Sequence, residues 1–503
     1  MTSPQRRRMS ALVVEMARSL VQQVPPETAN QIRGILGRLE GPLQLAVAGR
    51  IKSGKSTVVN ALIGRRVSAT DVRECTRMVT RFQYGTVDRV EVRKVDGSVL
   101  TIPYDGDGVI PADLGCAPEE VAVVDAYLTY DALRQVTIID TPGLASLHEQ
   151  SAGRTEEMLG GGTGEVDERS QQAVSSAEAV LYVITQSIRA DDADALSAFR
   201  RTSGGHTSSP INALAILNKA DQVQADDPMA AAAELAAEHS HTLRHAVSQV
   251  LPLVGLMAES ALTGNFTEAD AQTLREIAAL DEASRDVLFM STDFFVRPEI
   301  PVDVDARERL LTRLDRYGAR KAVDAILADP QITTGALRQL LEAQSGFPDL
   351  HRIIDGVFSV RADDIKSAVA LTSLDELAAK SPPQIRDTIY DFLEELYQHP
   401  EAQQLRLLEA ATLVTSGKVE LPDDMFDEVR QLVTGSGPDD MLGRHGAPLP
   451  DLVQAAFDAA GRWRSFATFG STPAQSRIGH TIHRSYFMLW QQLRALDTGG
   501  APS

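Results

Sequence analysis

At 503 residues the chain is long enough for two or more domains, each with ample core. Its 43% hydrophobic and 23% charged content is ordinary for a soluble globular protein, and its net charge of −20 excludes a general nucleic-acid-binding surface, which needs clustered positive charge. Two cysteines, Cys75 and Cys116, imply a reducing compartment without a disulfide framework; no apolar run approaches the roughly 18 residues of a membrane-spanning helix, so a cytoplasmic protein is expected.

Arg6-Arg7-Arg8 precede an apolar stretch in the manner of a signal peptide, but Glu15 and Arg18 interrupt it and no small-residue cleavage site follows. Residues 9–40 instead predict two amphipathic helices, with stripes at Leu12, Val14 and Ala17 and at Ile32, Ile35 and Leu39, divided by Pro25-Pro26. Such helices, lying before the first strand, are expected to pack outside that domain, against helices from the far end of the chain. From 41 to 300 strands and helices alternate as in a doubly wound α/β domain with a mixed sheet. Strands are predicted at 43–47, 79–84, 90–95, 99–102, 136–139, 179–184, 213–217 and 251–255. Asp96-Gly97 marks a hairpin turn. Helices are predicted at 190–201 and 228–249, and a Gly-rich stretch begins at Gly160. From 301 to 496 the pattern is helical: 306–327, 335–344, 350–379, 383–395, 402–412, 424–433, 450–463 and 473–496, an all-α bundle or stalk. Residues 497–503 read as a disordered tail.

Three ordered motifs carry the chemistry. Gly49, Gly54, Lys55 and Ser56 fit G-x-x-x-x-G-K-[ST] between a buried strand and a helix. Backbone N–H groups of that loop form a nest for phosphate oxygens, the helix adds its positive end, Lys55 reaches the β- and γ-phosphates, and the Ser56 hydroxyl suits Mg²⁺. Asp140-Thr141-Pro142-Gly143 follows a strand as a D-x-x-G element would: Asp140 orients a water on Mg²⁺, and the Gly143 N–H senses the γ-phosphate. Asn218-Lys219-Ala220-Asp221 ends another strand. The Asp221 carboxylate can accept from guanine N1–H and its exocyclic amine, a donor pair adenine lacks. Lys219 can lie over the base, and Asn218 can tie this loop to the phosphate loop. Thr76 is the candidate switch residue for Mg²⁺ and the γ-phosphate, with Thr70 and Thr80 as competing choices. Glu259-Ser260-Ala261-Leu262 is the candidate for the segment beside guanine O6.

At AGRIKSGKSTVVNALIG, ATDVRECTRMVTRFQYG, IIDTPGLASL and ILNKAD the chain resembles the dynamin superfamily of large GTPases, and within it the bacterial dynamin-like proteins of the actinobacterial isoniazid-inducible group. Ser345-Gly346-Phe347 through Phe358 and Arg361 to Ser367 is similar in style. The resemblance implies a GTPase head, a neck built from helices of both chain ends, a helical stalk, GTP-dependent head dimerisation and membrane fusion, fission or repair. Eukaryotic dynamins carry a polar Gln where this chain has Ile51; Lys52 beside it is the candidate for a stabilising charge in hydrolysis.

The resulting expectation is an α/β P-loop GTPase domain with an all-α neck and stalk. GTP would be held by Gly49, Ser53, Gly54, Lys55, Ser56, Thr57, Gly143, Asn218, Lys219 and Asp221. Mg²⁺ would be held by Ser56, Thr76 and, through water, Asp140; Lys55, Thr76 and Lys52 would carry hydrolysis. Expected partners are further copies or a sister dynamin-like GTPase, and a lipid surface touched peripherally, on the inner face of the plasma membrane. Met425-Phe426 and the stretch Trp463 to Phe469 are candidates for lipid contact, with interior packing as the rival role. A soluble regulatory GTPase docking a protein, or a nucleotide-binding scaffold with little turnover, are the alternatives.

Overall fold

Seven consecutive residues, LQLAVAG, form β1 (Leu43–Gly49), buried along nearly their whole length, as befits a strand covered by helices on both faces. The computed structural model describes residues 9–50, 52–68, 78–141, 177–186, 210–297, 299–355, 360–399, 402–435, 437–469 and 472–497. The expectations for Ile51, Thr70, Thr76, Gly143, the stretch from Gly160, the helix 190–201 and the tail 498–503 fall outside the described residues.

The other strands are β2 (Thr80–Tyr84), β3 (Arg89–Lys94), β4 (Val99–Ile102), β5 (Val121–Leu128), β6 (Val136–Asp140), β7 (Ala179–Ile184), β8 (Ala213–Asn218) and β9 (Val250–Leu253). They form one nine-stranded sheet in the order β4-β3-β5-β2-β6-β1-β7-β8-β9. The run from β6 to β9 is parallel, whereas β2 meets β6 antiparallel and β3 meets both β4 and β5 antiparallel, so the sheet is mixed. β5 has no counterpart in the predicted strands. Its run VAVVDAYL carries a carboxylate at its centre, but Asp125 is buried and satisfied by Gln83 Nε2 at 2.8 Å and by the Arg93 guanidinium.

Helices in the first part are α1 (Met9–Gln23), α2 (Pro26–Gly37), α3 (Lys55–Ile63), α4 (Pro228–Thr242), α5 (Gly255–Leu262), α6 (Glu268–Ala278), α7 (Glu282–Met290), α8 (Thr292–Val296), α9 (Val304–Ala328), α10 (Thr334–Gln344) and α11 (Phe347–Ile353). Side chains cap several N-termini: Asp227 for α4, Asp281 for α7, Ser291 for α8, Asp303 for α9 and Thr333 for α10. α4 stops at Thr242 rather than 249, and α6 to α8 fill a stretch where sequence pattern predicted nothing. Further on come α12 (Val360–Lys380), α13 (Pro383–Gln398), α14 (Gln403–Thr415), α15 (Asp423–Thr434), α16 (Pro438–Met441), α17 (Leu449–Thr468) and α18 (Pro473–Asp497). The helix expected over 350–379 is represented by α11 and α12, with residues 356–359 between them outside the described residues.

The period-2 alternation of the strands divides the head core into two layers. Ala46, Ala48, Tyr182, Ala215 and Leu217 face α4, α6, α9 and α10, whereas Leu45, Val47, Leu181, Leu214 and Ile216 face α3 and α11. Head packing therefore continues past residue 300, through Leu310, Leu314, Leu341, Phe347 and Ile354. The change from strands to helices near 300 marks a change of periodicity, not a change of core.

α1 and α2 pack on α12 and α13, with Leu12, Val13, Ile32, Leu374 and Ile389 buried between them. These partners belong to the C-terminal helical region but are not its last helices; α17 and α18 instead join α14 and α15 in a separate bundle core around Trp463. Polar bonds tie α12 to α1 and to the residues that lead into β1. Lys366 Nζ donates to the Leu39 and Gly41 carbonyls, both at 2.8 Å, and Ser10 N donates to Asp363 Oδ2 at 3.1 Å. Beside this joint Glu178 is buried and accepts the Gln44 N–H at 2.6 Å. Burial pushes its carboxyl up to about 7, against the pull of that N–H, Lys366 and Arg38.

A carboxyl with a raised folded-state pKa disfavours folding where it is ionised, above about pH 7, and ceases to do so as pH falls toward its unfolded value. Glu178→Gln keeps the hydrogen-bond acceptor without the charge. It is expected to stabilise the protein at pH 8 by about 2 kcal/mol, read as a higher melting temperature, with the gap closing as pH falls from 8 toward 5.

Candidate functional site

The three motifs meet at the carboxyl ends of parallel strands β1, β6 and β8, the edge where open α/β sheets bind ligands. β1 ends at Gly49, where a Cβ would lie 2.3 Å from the Val183 carbonyl of β7, so only glycine lets the loop leave between the two strands. Gly54 is left-handed (φ 91°), and a Cβ there would lie 2.2 Å from Asn218 Nδ2. α3 then opens at Lys55. Its first residues, Lys55, Ser56 and Thr57, are all half-buried, and its N-terminus points its free N–H groups into the loop.

Asn218 holds the site together. Its Nδ2 donates to the Ser53 carbonyl at 2.8 Å, and its Oδ1 accepts the Gly255 N–H at 3.0 Å. The side chain thus binds the phosphate loop to the base loop and to the start of α5, the tie expected of it. The adjoining turn is anchored from behind, because Val254 N donates to the Ser345 carbonyl at 2.8 Å. Lys219 is left-handed (φ 59°), which turns the chain so that Ala220 is buried while Asp221 stays at the pocket.

The charges are set for ligand. Lys55 Nζ donates to the Arg50 carbonyl at 3.2 Å, and burial lowers its pKa while Asp140 opposes the shift. Asp140 is pushed up to about 6 by desolvation, against Lys55 and a hydrogen bond from Ser68. Asp221 is likewise raised to about 6, by burial first and then by the nearby Asp315 carboxylate. The Ser53 hydroxyl is buried without a hydrogen-bond partner, a donor available to an anion in the loop. A buried lysine, an orphaned hydroxyl and a nest of N–H groups fit a polyphosphate. Ser56 and Asp140, hard oxygen donors, fit Mg²⁺.

Lys52 is exposed and left-handed (φ 65°) in the loop. Thr80 lies in β2, buried, and pairs with Asp140 across the antiparallel ladder, so it is a strand residue and not a loop one. Thr76 and Gly143 lie outside the described residues. Glu259 to Leu262 lie within α5, and the Glu259 carboxylate is occupied by Asn60 Nδ2 at 2.7 Å and by Arg66. The segment that abuts the base loop is Val254-Gly255 instead. Asn60 was not singled out in the sequence. It is fully buried, and its Oδ1 accepts the Val67 and Ser68 N–H groups at 3.0 and 2.9 Å, fixing the chain that carries Ser68 toward Asp140. The only prior signal was an asparagine among the apolar residues of α3. Of the lipid-contact candidates, Phe426 and Trp463 are interior, and the Trp463 indole donates to Glu428 at 2.8 Å. Phe469 is 77% exposed.

A family model described as 50S ribosome-binding GTPase matches residues 44–219. The isoniazid-induced protein IniC of Mycobacterium tuberculosis is 31% identical over 447 residues, covering 86% of this chain and 87% of that protein. A bacterial dynamin-like protein of Nostoc punctiforme is 41% identical over 58 residues, 12% of this chain and 8% of its own. Among solved structures, a chain described under "An oligomerised bacterial dynamin pair provides a mechanism for the long range sensing and tethering of membranes" matches 99% of this chain and 93% of its own length at 10% identity and a TM-score of 0.34.

Accepting hydrogen bonds from a base requires Asp221 ionised, so guanine-nucleotide affinity is expected to fall as pH drops below about 6. Titration calorimetry of wild type against Asp221→Asn isolates the base from the phosphates. The variant should bind more weakly at pH 7.5 and show a shallower pH dependence, and equal affinities would remove Asp221 from base recognition.

Proposed function

The chain belongs to the family of the isoniazid-induced protein IniC, a group of dynamin-like GTPases, and on that premise we propose that it hydrolyses GTP with Mg²⁺ and couples turnover to head dimerisation and to remodelling or maintenance of a membrane. The observation that carries the reading is the Asn218 tie, which brings a phosphate loop and a guanine-type N-K-x-D loop into one pocket. Gly49, Ser53, Gly54, Lys55, Ser56 and Thr57 bind the phosphates, and Asn218, Lys219 and Asp221 bind the base. Gly143 and Thr76 complete the γ-phosphate side. Ser56, Thr76 and, through water, Asp140 would hold Mg²⁺, which would supply neutralising charge to the phosphates. Lys55 gives up its bond to the Arg50 carbonyl and takes phosphate oxygens. Its charge, with that of Lys52, stabilises the transition state, so catalysis is positioning plus electrostatics.

Membrane contact is supported by family membership and by one surface feature. No described helix is long and apolar enough to cross a membrane. Phe469, at the end of α17, stands exposed with the exposed Arg464 and Arg477 nearby in sequence and on the facing helix. An aromatic side chain flanked by arginines suits the interface of an anionic bilayer.

Lys55→Ala is expected to reduce phosphate release by a factor on the order of 10² or more, with GTP binding weakened in parallel. A phosphate-release assay giving equal rates for both proteins would leave a nucleotide-binding scaffold. Wild type should co-sediment with phosphatidylglycerol-rich vesicles more strongly with GTP than without, and Phe469→Glu should lose much of that binding. Absence of wild-type binding in both nucleotide states would favour a soluble regulatory GTPase.

A further inference from the structure

The neck is not the only attachment between head and helices. A second contact lies beneath β8 and β9, at the end of the sheet opposite the nucleotide pocket. On the head side it uses the turn Pro210–Asn212, which enters β8, and residues 243–249, which enter β9. Leu243 and Val247 are buried in the head core, so this segment moves with the head. On the bundle side it uses the end of α14 and the whole of α15.

We propose that this contact is a releasable latch that holds the head folded back on the C-terminal bundle, and that opening it leaves the head pivoting on the neck alone. One apolar side chain plugs the contact: Ile211, at the head's edge, packs among the bundle residues Leu407, Leu408 and Val433 and is 5% exposed. Around it the bonds are polar. Arg244 Nη1 pairs with Asp423 Oδ1 at 3.0 Å, and the Arg244 guanidinium lies 5.3 Å from the Phe426 ring. His245 Nδ1 bonds the Thr415 carbonyl at 3.0 Å, and its ring meets Phe426 edge-on at 5.2 Å. Arg430 Nη1 donates to the Ser248 carbonyl at 3.1 Å.

These features mark the contact as reversible. Each polar bond can be exchanged for water, and the Asp423 side chain is already 81% exposed, so its ion pair shifts an equilibrium by only a few-fold. Two clefts enter the contact from the sides. One, of about 470 Å³, is lined by Arg244, His245, Ser416 and Phe426; the other, of about 690 Å³, by Ser240, Gln249, Arg430 and Thr434. The neck differs in kind: its core of buried aliphatic side chains would stay closed when the latch opens. The latch also hangs on the far ends of the elements that carry the base loop. β8 begins two residues after Ile211 and ends at Asn218, and α4 (Pro228–Thr242) lies between Asp221 and Arg244 in the chain.

Small-angle scattering of the full chain without nucleotide tests this directly. Wild type should match the folded-back arrangement. Ile211→Glu puts a carboxylate into the apolar bundle core that Ile211 joins, so it should shift the protein to a form of clearly greater maximum dimension. Circular dichroism should stay at wild-type helicity, because residue 211 is solvated once the latch is open. A milder pair guards against misfolding. Arg244→Glu should raise the extended population a few-fold, and Arg244→Glu combined with Asp423→Arg should return it toward wild type. A well-folded Ile211→Glu protein that scatters like wild type would overturn the latch. If that variant loses helicity the charge swap decides, and an Arg244→Glu protein unchanged in shape, or one that Asp423→Arg does not restore, would overturn it as well.

Discussion

One side chain, Asn218, fixes the distance between the parts of the pocket. A primary amide has both a donor and an acceptor, and here each is used across the site: Nδ2 on the phosphate loop, Oδ1 on the N–H that opens α5. Both bonds are buried, so losing either would leave an unpaired polar group as well as a missing tie. The tie also explains a residue on the other side of it. Gly54 has no Cβ because the Asn218 amide occupies that space. Phosphate loop and base loop are therefore mutually specified.

Around this tie three ionisable groups are displaced toward neutrality. Lys55 is lowered, and Asp140 and Asp221 are raised, in each case mainly by burial. A site of this kind is poorly satisfied by itself and well satisfied by a ligand that brings an anion for the lysine, a cation for one carboxylate and paired donors for the other. On the proposed reading magnesium–GTP would bring all three, and polyphosphate, metal and base would each restore a charge that folding has disfavoured.

The parallel core of the sheet and all three motifs were legible in the sequence because fully buried strands are short apolar runs, and each delivers its functional residue at a fixed end. β5 was not, since its period is broken by Asp125, and the partners of that carboxylate, Gln83 and Arg93, sit on strands far away in sequence. Which helices of the C-terminal region complete the neck was not legible, for a related reason. The apolar stripes of α1 and α2 say that something covers them, but nothing local says which helix does. Glu259 shows the same limit at the site: its place after the last strand was readable, but not that its carboxylate bonds Asn60. Position in the order of motifs is readable, but a side chain's bonding partner is not.

The neck pairs residues that leave the ribosome far apart in time. Ser10 and Asp363 are 353 residues apart. At synthesis rates of about 5–20 residues per second, α1 emerges some 20–70 s before its partner helix. During that interval Leu12, Val13, Ala17 and Leu20, all buried in the finished protein, lack the cover of α12 and α13 and have only α2 beside them. The apolar stripe of α1 is then a surface for chaperones, or for a neighbouring nascent chain, before it becomes part of a joint.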